Sequence, residues 1–258
     1  LIFHNHDFGK HLKFADIDIV QTKEVSSGYL LMFSYKCPVT MIKAIFWDND
    51  GVLVDTEELY YRANREALAG AGIELTRQDF LELSLVRGKG VWGLAETKGI
   101  SHDEIEQLKE KRNLIYNKVL ESGIPLIDGV KEVLEIFEKK YIMGIVTSAY
   151  RHDFEVIHRS TDILKYFKFV LAGGEYERYK PHPAPYLKAI ILSGCRPEEC
   201  VAIEDSPRGV ESAVKAGIRC IAIPRGISEG LDFTGAWKHL SDIREVPGAL
   251  MEQHSSWR

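Results

Sequence analysis

Four cysteines in 258 residues (Cys37, Cys195, Cys200 and Cys220), with no CxxC pair among them, provide no disulfide framework, and a chain of this length needs none. Reduced thiols are expected. No apolar run approaches the roughly 18 to 20 residues that a membrane-spanning helix requires. The basic, apolar and small-residue succession of a secretory signal does not occur at the start of the sequence. A cytoplasmic location without a membrane partner is the resulting expectation. Basic residues are in deficit, 33 Lys and Arg against 38 Asp and Glu for a formal net charge of -5, and no long basic run occurs. A dedicated nucleic-acid surface is therefore not expected. What is present is ordinary globular composition, 45% hydrophobic and 28% charged, enough for one full core or two unequal ones.

Residues 1–40 carry the weakest signal. They open on Leu, hold His4, His6 and His11 close together, and show only brief apolar runs such as Tyr29 to Phe33. Without a regular scaffold the three histidines read as part of a solvated extension rather than a metal site. Met41 opens a strand at once, which makes it the expected biological start.

The organising stretch runs from Ala44 to Glu57, AIFWDNDGVLVDTE. Ile42, Ala44, Ile45, Phe46 and Trp47 form an apolar run that stops at Asp48, Asp50 follows, and Gly51 permits a sharp turn. A polar hairpin turn is the plainer reading of Asp-Asn-Asp-Gly, but such a turn gives no reason to set carboxylates directly on an apolar strand. A buried strand delivering two carboxylates to its carboxyl end accounts for both. In an open α/β sheet that end is where ligands bind.

From Thr56 the period becomes helical. Leu59, Ala63 and Ala67 share a face until Gly70 to Gly72, and further helical patterns run from Arg77 to Leu85 and from Asp103 to Leu120. The glycine-rich RGKGVWG of Arg87 to Gly93 separates them. No strand pattern falls between Glu57 and Pro125, so residues 57–125 read as an all-α insertion over the site. After the Asp128-Gly129 turn, strands at Ile142 to Val146, Phe169 to Ala172, Val201 to Ile203 and Cys220 to Ile223 alternate with helical stripes. The fold class expected is α/β, a doubly wound, Rossmann-like parallel sheet made of residues 41–56 and 126–258, carrying a helical cap. Residues from Gly226 onward are expected to pack on the sheet edge.

At the strand ends stand Asp48 and Asp50, Thr147 and Ser148, Lys180, and Glu204 with Asp205. In such a sheet they converge on one crevice. Crowded carboxylates repel one another, and a hard cation bound through oxygen relieves them; Mg2+ fits best because it keeps waters that a phosphate can replace. Lys180 can neutralise a phosphoryl group, while Thr147 and nearby amides can hydrogen-bond its oxygens. These residue types suit phosphoryl transfer.

The segments DNDGVLVDTE (Asp48 to Glu57), IVTSA (Ile145 to Ala149), KPHP (Lys180 to Pro183) and IEDSPRG (Ile203 to Gly209) resemble the four motifs of the haloacid dehalogenase superfamily. Their order and spacing are similar to its phosphatase and phosphomutase branch, whose cap is inserted after the first strand. The resemblance implies that Asp48 is the nucleophile forming an aspartyl phosphate and that Asp50 is the general acid and base. It further implies that Asp48, the Asp50 carbonyl and Asp205 bind Mg2+ with support from Glu204. Thr147 and Ser148 would bind phosphate, and Lys180 would be the motif lysine. Asp50 favours phosphate esters over halogenated or phosphonate substrates, since members acting on those lack it. Asn49 and Trp47 depart from the usual residues there and are expected to alter packing more than roles.

Within that branch, a mutase commonly carries His where Tyr60 stands, so a phosphatase acting on a sugar phosphate or a phosphoglycolate-like metabolite is favoured over a β-phosphoglucomutase-like enzyme. A catalytically inactive phosphometabolite-binding protein is the remaining alternative, and the intact Asp50 argues against it. Substrate choice is expected to lie in the cap, at Arg87, Lys89 and Trp92, with Arg62 and Asn64 as weaker candidates. His182 reads as a loop residue.

Overall fold

A computed structural model of the chain describes residues 17–25, 28–35 and 41–251. The chain divides between residues 40 and 41 into two units. In the first, β1 (Ile17–Val25) and β2 (Gly28–Tyr35) pair antiparallel, with Ile17 opposite Tyr35 and Val25 opposite Gly28. His4, His6, His11 and Cys37 lie outside the described residues.

The second unit is built on β3 (Ala44–Trp47), all four residues of which are buried. A helical stretch follows. It comprises α1 (Glu57–Ala69), α2 (Arg77–Phe80), α3 (Gly93–Thr97) and α4 (His102–Leu120). Thr76 and Ser101 cap α2 and α4 in reciprocal capping boxes with Asp79 and Glu104, which satisfies amide groups that a helix start leaves without partners. The single helix expected over Arg77 to Leu85 is instead one turn of α2 running into a π-helical segment, Leu81–Val86. Its wider winding delivers the glycine-rich loop after it.

The alternation then proceeds through α5 (Val130–Phe137), β4 (Ile142–Tyr150), α6 (Arg151–His158), β5 (Phe169–Gly173), α7 (Ala184–Ser193), β6 (Cys200–Glu204), α8 (Pro207–Lys215) and β7 (Arg219–Ala222). A short β8 (Lys238–His239) and α9 (Val246–Met251) close the described chain. The sheet is six-stranded in the order β5-β4-β3-β6-β7-β8, and every pairing in it is parallel. The tail holds the edge, as expected, through Trp237 N–H to the Cys220 carbonyl at 2.7 Å and Leu240 N–H to that of Ala222 at 2.9 Å.

Side chains of β3 alternate between two cores. Ile45 and Trp47 pack with Val133, Leu134 and Phe137 of α5, whereas Ala44 and Phe46 pack with Tyr186 and Ala189 of α7 and with Val210 and Ala213 of α8. That is why the strand reads as continuously apolar: a parallel strand covered on both faces has no solvent side for polar residues to occupy. Its neighbours are β4 and β6, one on each side: the chain runs outward from β3 through β4 to β5, then crosses back to place β6 on the other side of β3. The crevice beyond its carboxyl end lies at that switch point. One structural difference concerns β4, which does not stop at Val146 but continues irregularly to Tyr150, opposite Gly173, so that Thr147 and Ser148 lie in a distorted strand rather than after it.

Candidate active site

Lys180 is 2% exposed, and its Nζ donates to Asp48 Oδ1 at 2.8 Å, Glu204 Oε1 at 2.6 Å and the Val146 carbonyl at 2.8 Å. Three donors meet three acceptors, so nothing on this ammonium is left unsatisfied. Burial works against its charge, but Asp48 and Glu204 more than offset that, and its pKa is raised. Glu204 is equally committed. Its Oε1 also accepts from the Tyr186 hydroxyl at 2.5 Å and its Oε2 from Ser206 Oγ at 3.2 Å. Gly209 makes this possible, since a Cβ there would stand 1.9 Å from Glu204 Oε2.

Asp48 keeps its second oxygen free of Lys180 and lines a cavity of about 240 Å³ together with Asp50. Burial, then the nearby Glu204 carboxylate, push Asp48 up to about 7 in spite of Lys180. Asp50 is oriented on both sides, Oδ1 accepting from the Thr56 hydroxyl and Oδ2 from Thr147 Oγ1 at 3.2 Å. Thr147 Oγ1 in turn accepts from the Ala149 amide at 3.0 Å. Ser148 lines the cavity, and Thr147 is buried behind it.

Asp48, Glu204 and Asp205 present carboxylate oxygens within 4.8 Å of one another. Asp205 Oδ2 is buried without a hydrogen-bond partner among the described residues, and burial followed by Glu57 raises its pKa well above the ordinary range. An all-oxygen donor set with an unpartnered buried carboxylate oxygen fits a hard divalent cation such as Mg2+. Gly51 shapes the same place: at φ +79° it adopts a turn that favours glycine, and a Cβ would stand 1.9 Å from Asp205 Oδ2.

Asn49 does more than alter packing. It is fully buried, its Oδ1 lies 2.7 Å from His158 Nε2, and its Nδ2 lies 3.4 Å from Asp50 Oδ2. His158 Nδ1 lies 2.8 Å from Thr161 Oγ1. With the Asn49 amide donating to Asp50, the chain runs in one direction from the Thr161 hydroxyl through a neutral imidazole to Asn49. Burial keeps that imidazole neutral by lowering its pKa to about 4. Trp47 behaves as expected, packing against Phe137, although its Nε1 finds no partner among the described residues.

On the cap side the expected residues separate. Lys89 lines the cavity. Arg87 does not: its Nε is 2.7 Å from Glu82 Oε1 on the exposed side of the loop, because Glu82 sits five residues earlier on the π-helical turn and captures it. Trp92 stands behind Arg112, whose guanidinium carbon is 5.7 Å from the Trp92 ring and 4.7 Å from the Tyr60 ring. Arg112 also donates to the Tyr60 hydroxyl, and both line the cavity. Arg62 pairs with Glu58 at 3.0 Å and Asn64 donates to the Tyr60 carbonyl at 2.8 Å; neither lines the cavity. His182 serves its own loop through the Ala184 amide at 3.1 Å.

Arg112, Glu57 and Arg208 were not among the expected site residues. Arg112 sits on a helix with several charged neighbours and carries no motif, whereas Glu57 and Arg208 lie inside recognised motifs but outside their catalytic positions. Burial, then Asp50, push Glu57 up to about 8, against the pull of Arg208. Gly88 joins the two sides. A Cβ there would be 2.5 Å from the Lys180 carbonyl and 3.4 Å from Arg208 Cδ.

A family model described as haloacid dehalogenase-like hydrolase matches residues 45–223. Protein CbbY of Rhodobacter capsulatus is 30% identical over 217 residues, covering 78% of this chain and 94% of that protein. A phosphorylated carbohydrates phosphatase of Thermotoga maritima is 29% identical, covering 73% and 88%. Among solved structures, CbbY of Rhodobacter sphaeroides in complex with xylulose-(1,5)bisphosphate aligns with a TM-score of 0.69 at 27% identity, covering 80% of this chain and 96% of that one.

Proposed function

Because this chain belongs to the haloacid dehalogenase-like hydrolases, we propose that it is a Mg2+-dependent phosphatase that hydrolyses a small sugar phosphate or phosphoglycolate-like ester through an aspartyl phosphate on Asp48. One observation carries the reading: Asp48 faces the same cavity as Asp50 with one oxygen tied to Lys180 and the other without a hydrogen bond among the described residues. That second oxygen attacks phosphorus, forming the Asp48 phosphate bond as the ester oxygen departs. Asp50 supplies the proton to that oxygen, then takes one from the water that cleaves the Asp48 phosphate. Lys180 holds the nucleophile in place and offsets the charge that gathers around it. Thr147 and Thr56 keep the Asp50 carboxyl aimed between the two reacting oxygens. Held by Asp48, Asp205 and the Asp50 carbonyl, Mg2+ would neutralise phosphoryl charge. Glu204 supports the site by fixing Lys180.

Tyr60 supports water as the final acceptor. Its hydroxyl is engaged by Arg112, and no imidazole stands at that position to serve a returning sugar hydroxyl. Arg112 and Lys89 offer positive charge to the leaving group, which suits polyhydroxylated or doubly anionic esters. The test is release of inorganic phosphate, with Mg2+, from an aryl phosphate and a panel of sugar phosphates. Wild type is expected to release it and Asp48→Asn is not. Absence of release from every ester would sink the reading. Conversion of β-glucose 1-phosphate to glucose 6-phosphate with a bisphosphate primer, without free phosphate, would replace it by a mutase.

A further inference from the structure

Arg208, in the first turn of α8, lines the cavity beside Asp48 and Asp50 without a finished set of partners. Among the described residues its Nε is buried with no hydrogen-bond partner, and its Nη1 reaches only Ser148 Oγ, at 3.5 Å. Among the described residues it has no ion pair within 4 Å, although Glu57, Asp48, Glu204 and Asp205 all bear on its charge. A guanidinium with an unsatisfied buried N–H is costly unless something completes it. Its position adds to the cost, because a cation at a helix start opposes the helix dipole.

A purely structural role fits these facts poorly. Had Arg208 served to neutralise Glu57, the two would be expected to close to salt-bridge distance, as Lys180 does with Asp48 and Glu204 at 2.8 and 2.6 Å. Instead its stem runs close to Gly88 of the cap loop, where a Cβ would stand 3.4 Å from Arg208 Cδ, and its Nη1 is directed toward Ser148 Oγ on the cavity wall. Ser148 adjoins Thr147, whose hydroxyl holds Asp50, so that wall borders the place where phosphorus must sit.

We propose that Arg208 is a binding residue for the transferring phosphoryl group, its planar fork completing the cradle opposite Lys180 by donating to non-bridging phosphate oxygens. The proposal rests on the phosphatase reading and deepens it. Lys180 is saturated by protein acceptors and orients the nucleophile. Arg208 holds its donors in reserve for the substrate. An anionic phosphate satisfies what the protein leaves open, and a planar guanidinium suits two oxygens at once where an ammonium does not.

The experiment measures inorganic phosphate binding to the Mg2+-loaded protein by calorimetry, together with steady-state hydrolysis of an aryl phosphate that has no second anionic group. Arg208→Gln is expected to weaken phosphate binding about tenfold or more and to lower kcat/KM on the aryl phosphate by a similar factor. Arg208→Lys, which keeps charge but loses the fork, is expected to recover only part of both and also guards against a folding failure in the first variant. Unchanged phosphate affinity in either folded variant would overturn the proposal. So would a loss confined to doubly anionic esters, which would assign Arg208 to a remote group of the substrate. If wild type binds phosphate in an Arg208-dependent way but hydrolyses no ester, the phosphatase reading fails while the binding role stands.

Discussion

Two cations of this site, Lys180 and Arg208, stand in opposite states of completion. Lys180 is enclosed by three acceptors, and the carboxylate behind it is further braced by Tyr186 and Ser206. Arg208 and Asp205 lie close by with Nε and Oδ2 unpartnered among the described residues. The first region is a finished network, whose work is to hold Asp48. The second is unfinished, and in a buried site an unfinished polar group marks where something else must bind.

That contrast is sharpest at Lys180. Replacing it by Met leaves Asp48 and Glu204 buried without their cation and is expected to cost roughly 3–5 kcal/mol, read from denaturant unfolding. Arg208→Gln breaks no close ion pair and should cost far less. Equal losses at the two positions would dissolve the distinction.

Next in size is the arm that reaches Asp50 from behind. His158→Leu strips the Asn49 side chain of its partner and is expected to cost about 1–3 kcal/mol and to lower kcat. Because burial holds His158 near 4, below its unfolded value, its contribution is present above the unfolded pKa and is lost as pH falls toward about 4. The stability gap between wild type and His158→Leu should therefore narrow between about pH 6.5 and pH 4. A gap that widened on acidification would refute the neutral imidazole.

The buried carboxylates of the crevice have the opposite pH signature. Asp48 is raised to about 7 and Glu57 to about 8, both chiefly by burial, and Asp205 is raised by burial and then Glu57. A carboxyl raised in the folded state favours folding below its unfolded pKa, and that advantage is lost as pH rises through the folded value. Metal-free protein should thus lose stability toward pH 8, and Mg2+ should restore it by about 2 kcal/mol at saturating concentration. Thermal unfolding with and without Mg2+ is expected to show a larger increase in Tm at pH 8 than at pH 5.5; the reverse order would contradict the carboxylate crowding.

The smallest effects separate the cap loop. Lys89→Ala is expected to raise KM a few-fold, whereas Arg87→Ala, which loses only a surface pair with Glu82, should stay within about 0.5 kcal/mol of wild-type stability and leave KM unchanged. Steady-state kinetics of the two variants side by side checks both.

The core was legible from residues for a physical reason. A strand buried on both faces must be apolar along its length, so the stop at Asp48 was visible, as were the polar end at Glu204 and Lys180 in the loop after β5, whereas Thr147 reads as a strand end but lies within β4. The cap was less legible. Arg87, Lys89 and Arg112 are all ordinary charged residues in helical or loop surroundings, and which of them faces inward depends on the π-helical turn at Leu81–Val86 and on Glu82 being near enough to capture Arg87. Asn49 was visible as an oddity, but its partner lies 109 positions away at His158.

The sequence by itself determined the parallel sheet, the inserted helices and the chemical types gathered at the strand ends, because periodicity and burial act locally along the chain. Which groups are saturated and which are left open was decided only by the tertiary structure. Completion of a hydrogen-bonding group depends on atoms from distant segments: Lys180 found its three acceptors on β4, β6 and the loop after β3, while Arg208, in the first turn of α8, was left with a buried Nε that has no partner among the described residues.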